Sequence, residues 1–148
     1  MKYTKEKQKQ NEMLADFDFK SWTKENLRND GKYTISDIDS VIRDTTDNGT
    51  NRIMLVEKKA FNSEPRECQC ITYRILDALI REGLKATDGK VNIRICGRMQ
   101  ETKVEYRGTH LLQLSDATFD QSSFKFDRKD VDLSQLIDKL NFTNQTTV

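Results

Sequence analysis

An Asn-Gly pair, Asn48-Gly49, lies between two segments that have the composition of β-strands. Residues 33–42 are β-branched and aromatic, and residues 53–56 form an unbroken apolar run. Asn-Gly is a strong signal for a tight hairpin turn, because both of its residues accept the positive φ angles that such a turn requires. The sequence therefore predicts that these two strands pair antiparallel around residue 48.

This hairpin brings acidic side chains together at one edge of the predicted sheet. Side chains alternate along a strand, so Asp37 and Asp39 share a face of the first strand. Glu57 and Lys59 share a face of the second strand in the same way. Partners across a hairpin sum to a nearly constant residue number, which sets Asp39 opposite Glu57 to within about one residue. Carboxylates with room left for water and a substrate phosphate suit Mg²⁺ or Mn²⁺. We therefore predict a divalent-cation site with the Lys59 ammonium beside it.

The remaining segments predict further helices and strands. Helical spacing of apolar residues covers 63–83 and 132–142, and strand-like segments cover 91–99 and 104–114. The stripe of the 63–83 helix expected to pack on the sheet consists of Cys68, Ile71, Ile75, Leu76, Leu79 and Ile80. Residues 1–30 are predicted to carry N-terminal helices, over 4–15 and 22–28, and residues 143–148 a flexible tail. We expect a single α/β domain over 1–148, with a mixed central sheet flanked by helices.

Composition excludes several classes of protein. Basic and acidic side chains number 25 and 24, so no net charge draws the whole molecule to nucleic acid or membrane. The longest apolar runs are about four residues, far short of the roughly 20 that span a bilayer. The N-terminus is charged with no apolar stretch behind it, unlike a secretory signal, and the odd number of cysteines suits reduced thiols. These features predict a cytoplasmic protein with no membrane partner.

The strand residues 36–42, the turn and the strand end 53–59 resemble the core motif of the PD-(D/E)xK nuclease superfamily. In such proteins an aspartate at the end of one strand and an acid-x-lysine on the next bind divalent metal. The resemblance implies a restriction-endonuclease-like core and hydrolysis of DNA phosphodiester bonds with Mg²⁺ or Mn²⁺ as cofactor. It also implies a 5′-phosphate and a 3′-hydroxyl at the cut.

The resemblance assigns roles by position in the motif. Asp39 and Glu57 would be metal ligands, and Lys59 would be the catalytic lysine. Gln69, in the helix that follows, is similar to the glutamine with which many members support the site. Some members add an acid from the first helix, which Glu12 or Glu25 would supply here, and Asp37 is a further candidate ligand. Many relatives act on duplex DNA as dimers, so a homodimer is compatible with the resemblance, although no heptad or exposed apolar stripe demands one.

Four arginines are candidates for DNA contact. Arg74 and Arg81 lie seven residues apart on the expected outer side of the 63–83 helix, and Arg94 and Arg98 share parity on the next strand. Guanidinium groups in these positions would follow a phosphate backbone. The competing interpretation is a surface that only keeps the protein in solution.

The same residues allow a structural interpretation. Asp39, Glu57 and Lys59 would also suit an ordinary solvated strand end, which leaves a non-catalytic DNA-binding or protein-interaction module as the alternative function. His110 has no second histidine and flanks an apolar pair, so we expect it to be structural. Cys68-x-Cys70 has no matching pair and no nearby histidine, which argues against a zinc site.

Overall fold

The computed structural model describes residues 4–27, 38–116 and 118–143. The chain divides into two compact units, residues 1–35 and residues 36–148. In chain order the elements are α1 (Lys5–Asn26), β1 (Ser40–Thr45), β2 (Asn51–Ala60), α2 (Glu67–Thr87), β3 (Lys90–Ile95), β4 (Arg98–Leu114), a 3-10 turn (Phe119–Gln121), β5 (Phe124–Phe126), β6 (Lys129–Val131) and α3 (Leu133–Leu140).

The second unit is built on a mixed six-stranded sheet. Its strand order is β1-β2-β4-β5-β6, with β3 paired to β4 off this path. The β2–β4 pairing is parallel and the others are antiparallel. α2 lies between β2 and β4 in the sequence and so belongs to the connection that a parallel pair requires. The predicted α/β class with a mixed sheet is confirmed.

The core lies on one face of this sheet. Met54 and Val56 of β2, Leu112 of β4 and Leu136 of α3 are each at most 3% exposed. Three phenylalanines complete the cluster, namely Phe124, Phe126 and Phe142. β2 is buried on both faces, since Leu55 and Glu57 on its other face are each only 5% exposed. Burial on both faces explains why residues 53–56 read as a continuous apolar run rather than an alternating one.

The predicted β1–β2 hairpin is present with altered strand bounds. Gly49 adopts a φ of 84°, which a glycine accepts without steric cost. β1 covers Ser40–Thr45, so it continues past the predicted end at residue 42, and residues 28–37 lie outside the described residues. β2 extends to Ala60 because it pairs with β4 as far as Leu114.

The predicted packing face of α2 is wrong in part. Ile71, Ile75 and Leu79 are 50–65% exposed, and Cys68 is also exposed. The buried residue of α2 is Tyr73, which points toward the sheet. Apolar residues occur on more than one side of α2, so the spacing of these residues does not by itself predict which side packs on the sheet.

The two predicted N-terminal helices form one. α1 runs without a break over Lys5–Asn26, because residues 16–21 contain neither glycine nor proline to interrupt it. Thr4 caps its first turn by accepting a hydrogen bond from the N–H of Lys7. Within the described residues, no helix combines the length and apolar character needed to cross a membrane. The predicted tail 143–148 lies outside the described residues from residue 144 onward.

The segment predicted as one strand over 91–99 is a hairpin. β3 ends at Ile95, a turn at Cys96-Gly97 reverses the chain, and β4 begins at Arg98. Cys96 and Gly97 both have positive φ, 49° and 77°, as this tight turn requires. β4 then continues as one 17-residue strand into the central sheet.

Candidate functional site

The β1–β2 hairpin sets Asp39 and Glu57 across from each other. The observed register pairs Ser40 with Val56, and extending it by one residue pairs Asp39 with Glu57. One Asp39 carboxylate oxygen accepts a hydrogen bond from the backbone N–H of Lys58 at 2.8 Å. The observed register therefore lies within the one-residue range that the sequence predicts.

Glu57 is a buried acid with polar partners on both of its oxygens. Its exposure is 5%, and it lies on the α2 side of β2. One oxygen accepts a hydrogen bond from the hydroxyl of Tyr73, and the other lies 3.6 Å from the Lys59 ammonium nitrogen. A carboxyl group withdrawn from water is costly unless such partners replace its hydration. Glu57 and Lys59 are thus on one face, as the alternation along the strand predicts.

The donor atoms at this edge of the sheet suit a hard cation. Asp39 and Glu57 offer carboxylate oxygens, the ligand type that Mg²⁺ and Mn²⁺ prefer. Among residues 4–27, 38–116 and 118–143, no group of three or more His, Cys, Asp or Glu side chains is placed to hold an ion. A site of only two carboxylates leaves coordination positions for water and substrate, which is usual for Mg²⁺. The chemistry of the two side chains therefore fits the predicted metal.

Two polar residues of α2 differ from expectation. The side-chain oxygen of Gln69 accepts a hydrogen bond from the backbone N–H of Arg66 at 3.2 Å, so this glutamine caps the start of the helix. Tyr73, one turn later, is the α2 residue that reaches Glu57. Tyr73 is not recognisable as a site residue from the sequence, because an aromatic residue in a largely apolar helix is typical of a core position.

The remaining candidate acids stay predictions. Asp37 lies outside the described residues. Glu12 and Glu25 are exposed on α1, which belongs to the unit formed by residues 1–35.

A cleft of about 470 Å³ opens beside Glu57, between α2 and β4. Tyr73 and Arg74 of α2 line one wall, His110 of β4 lines the other, and Arg128 lies at the end near the β5–β6 turn. A volume of this size is in the range of small-ligand sites, about 300–1,000 Å³. The buried carboxyl group of Glu57 thus borders a cleft that both cationic and acidic side chains line.

His110 forms a structural ion pair in the wall of this cleft. Its Nδ1 lies 2.7 Å from a carboxylate oxygen of Asp127, and its Nε2 lies 2.6 Å from the carbonyl oxygen of Arg107. The ring also stacks on Phe126, with 4.9 Å between ring centroids. Because both nitrogens face acceptors, both must carry hydrogen, which is the charged imidazolium form. The expectation of a structural histidine fits this geometry.

The pKa values of the pair shift in opposite directions. Burial alone would lower the pKa of His110, but the hydrogen bond and negative charge of Asp127 outweigh it, so the pKa is raised. Burial alone would raise the pKa of Asp127, but hydrogen bonds from His110 and from the N–H of Leu111 outweigh it, so that pKa is lowered. Lys139 of α3 also acts on both groups and favours the neutral histidine and the charged aspartate. Each shift therefore favours the charged form of its group, the imidazolium of His110 and the carboxylate of Asp127.

The two candidate DNA-contact arginines of α2 differ in their partners. Arg74 is exposed and makes no hydrogen bond or ion pair with the described residues. Arg81 forms an ion pair with Asp77 at 2.8 Å and lies 5.2 Å above the ring of Tyr106. The hydrogen bond that Arg81 donates to Asp77 raises the pKa of Arg81. Arg74 is therefore the more available of the two for an external anion.

Arg94 and Arg98 do not share a face as predicted. Both are exposed on the β3–β4 hairpin, but Arg94 pairs with Met99 while Arg98 pairs with Ile95. Cross-strand partners point to the same side, so the two arginines point to opposite sides. The cause is the turn at Cys96-Gly97, which reverses the chain between them.

No protein-family model matches the sequence, and neither the curated proteins nor the solved structures give a match. The resemblance to the PD-(D/E)xK superfamily accordingly rests on the hairpin, its two acids and its lysine.

Proposed function

We propose that this protein is a divalent-metal-dependent nuclease that hydrolyses DNA phosphodiester bonds. The observation that carries the proposal is the Glu57–Lys59 pair at 3.6 Å, with Asp39 opposite Glu57 across the hairpin. An acid-x-lysine on a buried strand beside a second acid is the arrangement that the PD-(D/E)xK resemblance requires. A restriction-endonuclease-like core is part of the same proposal.

The chemistry follows from the residues at the site. Asp39 and Glu57 would hold Mg²⁺ or Mn²⁺, which when bound lowers the pKa of water and neutralises charge on a phosphoryl group. Lys59 orients the attacking water or stabilises the negative charge that develops on the phosphate oxygens. Tyr73 fixes one oxygen of Glu57 and so limits its orientation. Gln69 supports the site indirectly, through the first turn of α2.

The alternative is a non-catalytic DNA-binding or protein-interaction module with the same fold. One observation favours it: both Glu57 oxygens have partners within the protein, Tyr73 and Lys59. Such a cluster satisfies a buried acid without a metal ion. The two functions therefore differ in whether these carboxylates have a role beyond folding.

A plasmid-nicking assay with Mg²⁺ or Mn²⁺ separates the two functions. We expect Glu57→Gln and Lys59→Ala each to slow nicking by about 10²-fold or more, as the loss of charge-stabilising or acid–base groups does. Glu101→Gln and Lys103→Ala are matched controls, because they form the same acid-x-lysine pattern in exposed positions on β4. These controls should nick at the wild-type rate.

Two outcomes contradict the proposal. Nicking that survives both changes would remove the assigned site. Wild-type protein that binds DNA without nicking it under either metal would favour the binding module.

A further inference from the structure

The turn between β5 and β6 places an arginine in an unfavourable backbone conformation. Asp127 and Arg128 have φ angles of 51° and 69°, both in the left-handed region. Two-residue hairpin turns of this kind favour Asn-Gly or Asp-Gly, because only glycine takes the second position without steric cost. An arginine at that position is strained, and strain of this kind is common at functional sites.

The strained turn is fixed to β4 through its first residue. One carboxylate oxygen of Asp127 binds His110 at 2.7 Å, and the other accepts a hydrogen bond from the N–H of Leu111 at 3.0 Å. The N–H of Asp127 also donates to the carbonyl of Leu111 at 2.8 Å. These contacts hold the turn at the cleft and thereby fix where Arg128 projects.

Arg128 lies at the cleft that Glu57 also lines. Its side chain is 62% exposed and forms a bidentate pair with the exposed carboxylate of Glu64, at 2.6 and 2.7 Å. Arg74 lines the same cleft from α2 and makes no ion pair with the described residues. The planar guanidinium fork that binds a carboxylate in two places binds a phosphate in the same way.

We propose that Arg128 and Arg74 form a phosphate-binding site for the DNA strand that enters this cleft. Glu64 occupies Arg128 in the free protein and gives way to the phosphate on binding. The site rests on the proposed nuclease function for its substrate class. The strain at Arg128 is retained because a glycine in its place would remove the guanidinium.

The test compares two glycine substitutions in the full-length chain. Arg128→Gly relieves the strain and removes the cation, while Cys96→Gly relieves the same left-handed conformation in the β3–β4 turn, away from the cleft-lining residues. Binding of a fluorescein-labelled duplex oligonucleotide is measured by fluorescence anisotropy in EDTA, at several salt concentrations. Thermal melting is followed in parallel.

We expect Arg128→Gly to melt no lower than wild type, yet to bind the duplex about tenfold more weakly. The slope of log affinity against log salt should fall by about one, the signature of one lost phosphate contact. Cys96→Gly should leave the affinity unchanged. Arg74→Gln should weaken binding as Arg128→Gly does, whereas Glu64→Gln should tighten it because Arg128 loses its competing partner.

Three results would overturn the phosphate site. The first is that Arg128→Gly binds the duplex as tightly as wild type. The second is that Glu64→Gln binds it more weakly, which would make the Arg128–Glu64 ion pair structural. The third is that the wild-type protein does not bind at up to about 100 µM duplex. The nicking assay is a separate readout. If the protein binds as described but never nicks DNA, the proposed nuclease function is wrong and the phosphate site stands. If nicking depends on Glu57 but Arg128→Gly binds the duplex as wild type does, the nuclease function stands and the phosphate site is wrong.

Discussion

His110 is held by contacts that only its charged form satisfies. Asp127 and the carbonyl of Arg107 both accept a hydrogen bond from the ring. The positive charge of Lys139 acts in the opposite direction and lowers the pKa of His110. The raised pKa of His110 means that its contribution to stability is complete below the ordinary value of 6.5 and is lost as the pH rises through the folded-state value. The lowered pKa of Asp127 means that its contribution is present above 3.8 and is lost as the pH falls through the lowered value.

We therefore predict that the free energy of unfolding declines as the pH rises above 6.5, the ordinary pKa of histidine. His110 is the only histidine in the sequence, so His110→Gln should flatten this part of the profile. Urea unfolding followed by circular dichroism at several pH values measures it. A variant whose decline matches that of the wild type would show that another group titrates in this range.

Single residues differ in how far the sequence predicts them. Asp39 and Glu57 could be paired from the sequence to within about one residue, because the Asn-Gly pair marks where the hairpin turns. Tyr73 and Arg128 could not be found that way. The hydroxyl of Tyr73 meets a strand that precedes it by 16 residues, and Arg128 meets Glu64 across 64 residues. Such contacts depend on how the elements pack, and no local pattern carries that information.

At the level of whole elements, α3 is a short helix that packs on the sheet through one buried residue, Leu136. Asp132 caps it by accepting from the N–H of Gln135 at 2.7 Å, and Leu136 is 1% exposed in the core. Leu133, on the same helix, is 51% exposed. The helix has eight residues and so depends on burial more than on its own propensity.

We predict that Leu136→Ala lowers the free energy of unfolding by about 2–4 kcal/mol, because it leaves a cavity among Met54 and the core phenylalanines. Leu133→Ala makes the same chemical change at an exposed position and should cost less than about 1 kcal/mol. Chemical denaturation of both variants and of the wild type measures the two losses in free energy of unfolding. Equal losses would show that α3 packs through a different face.

The strands were predicted unequally. β1 and β2 have an Asn-Gly turn and β-branched composition, whereas β5 and β6 have three residues each and a turn without glycine at Asp127-Arg128. A segment so short has too few alternations to show a period of two. α2 was predicted correctly as a helix, but its predicted buried face is wrong in part, since Ile75 and Leu79 are apolar yet exposed.

For the whole molecule, the core belongs to one unit. Every residue of the hydrophobic cluster, together with the partly buried residues packed on it, lies between Ile42 and Phe142. The unit formed by residues 36–148 therefore contains its own sheet, its own helices and its own core. A unit with these features has what independent folding requires.

We predict that a chain lacking residues 1–35 folds and unfolds in one cooperative transition. Circular dichroism and intrinsic fluorescence should report the same urea midpoint for the shortened chain. Non-coincident transitions, or a chain without an unfolding baseline, would show that residues 1–35 contribute to the core.

β4 belongs to two different structural surroundings along its 17 residues. Near Arg98 it pairs with β3 alone among the strands of the described residues, whereas near Leu112 it lies between β2 and β5. A two-stranded ribbon opens at little cost, and a strand with neighbours on both sides opens only with the sheet. Amide protons on this one strand consequently belong to two exchange regimes, fast toward Arg98 and slow toward Leu112, and the hairpin can loosen while the central sheet stays intact.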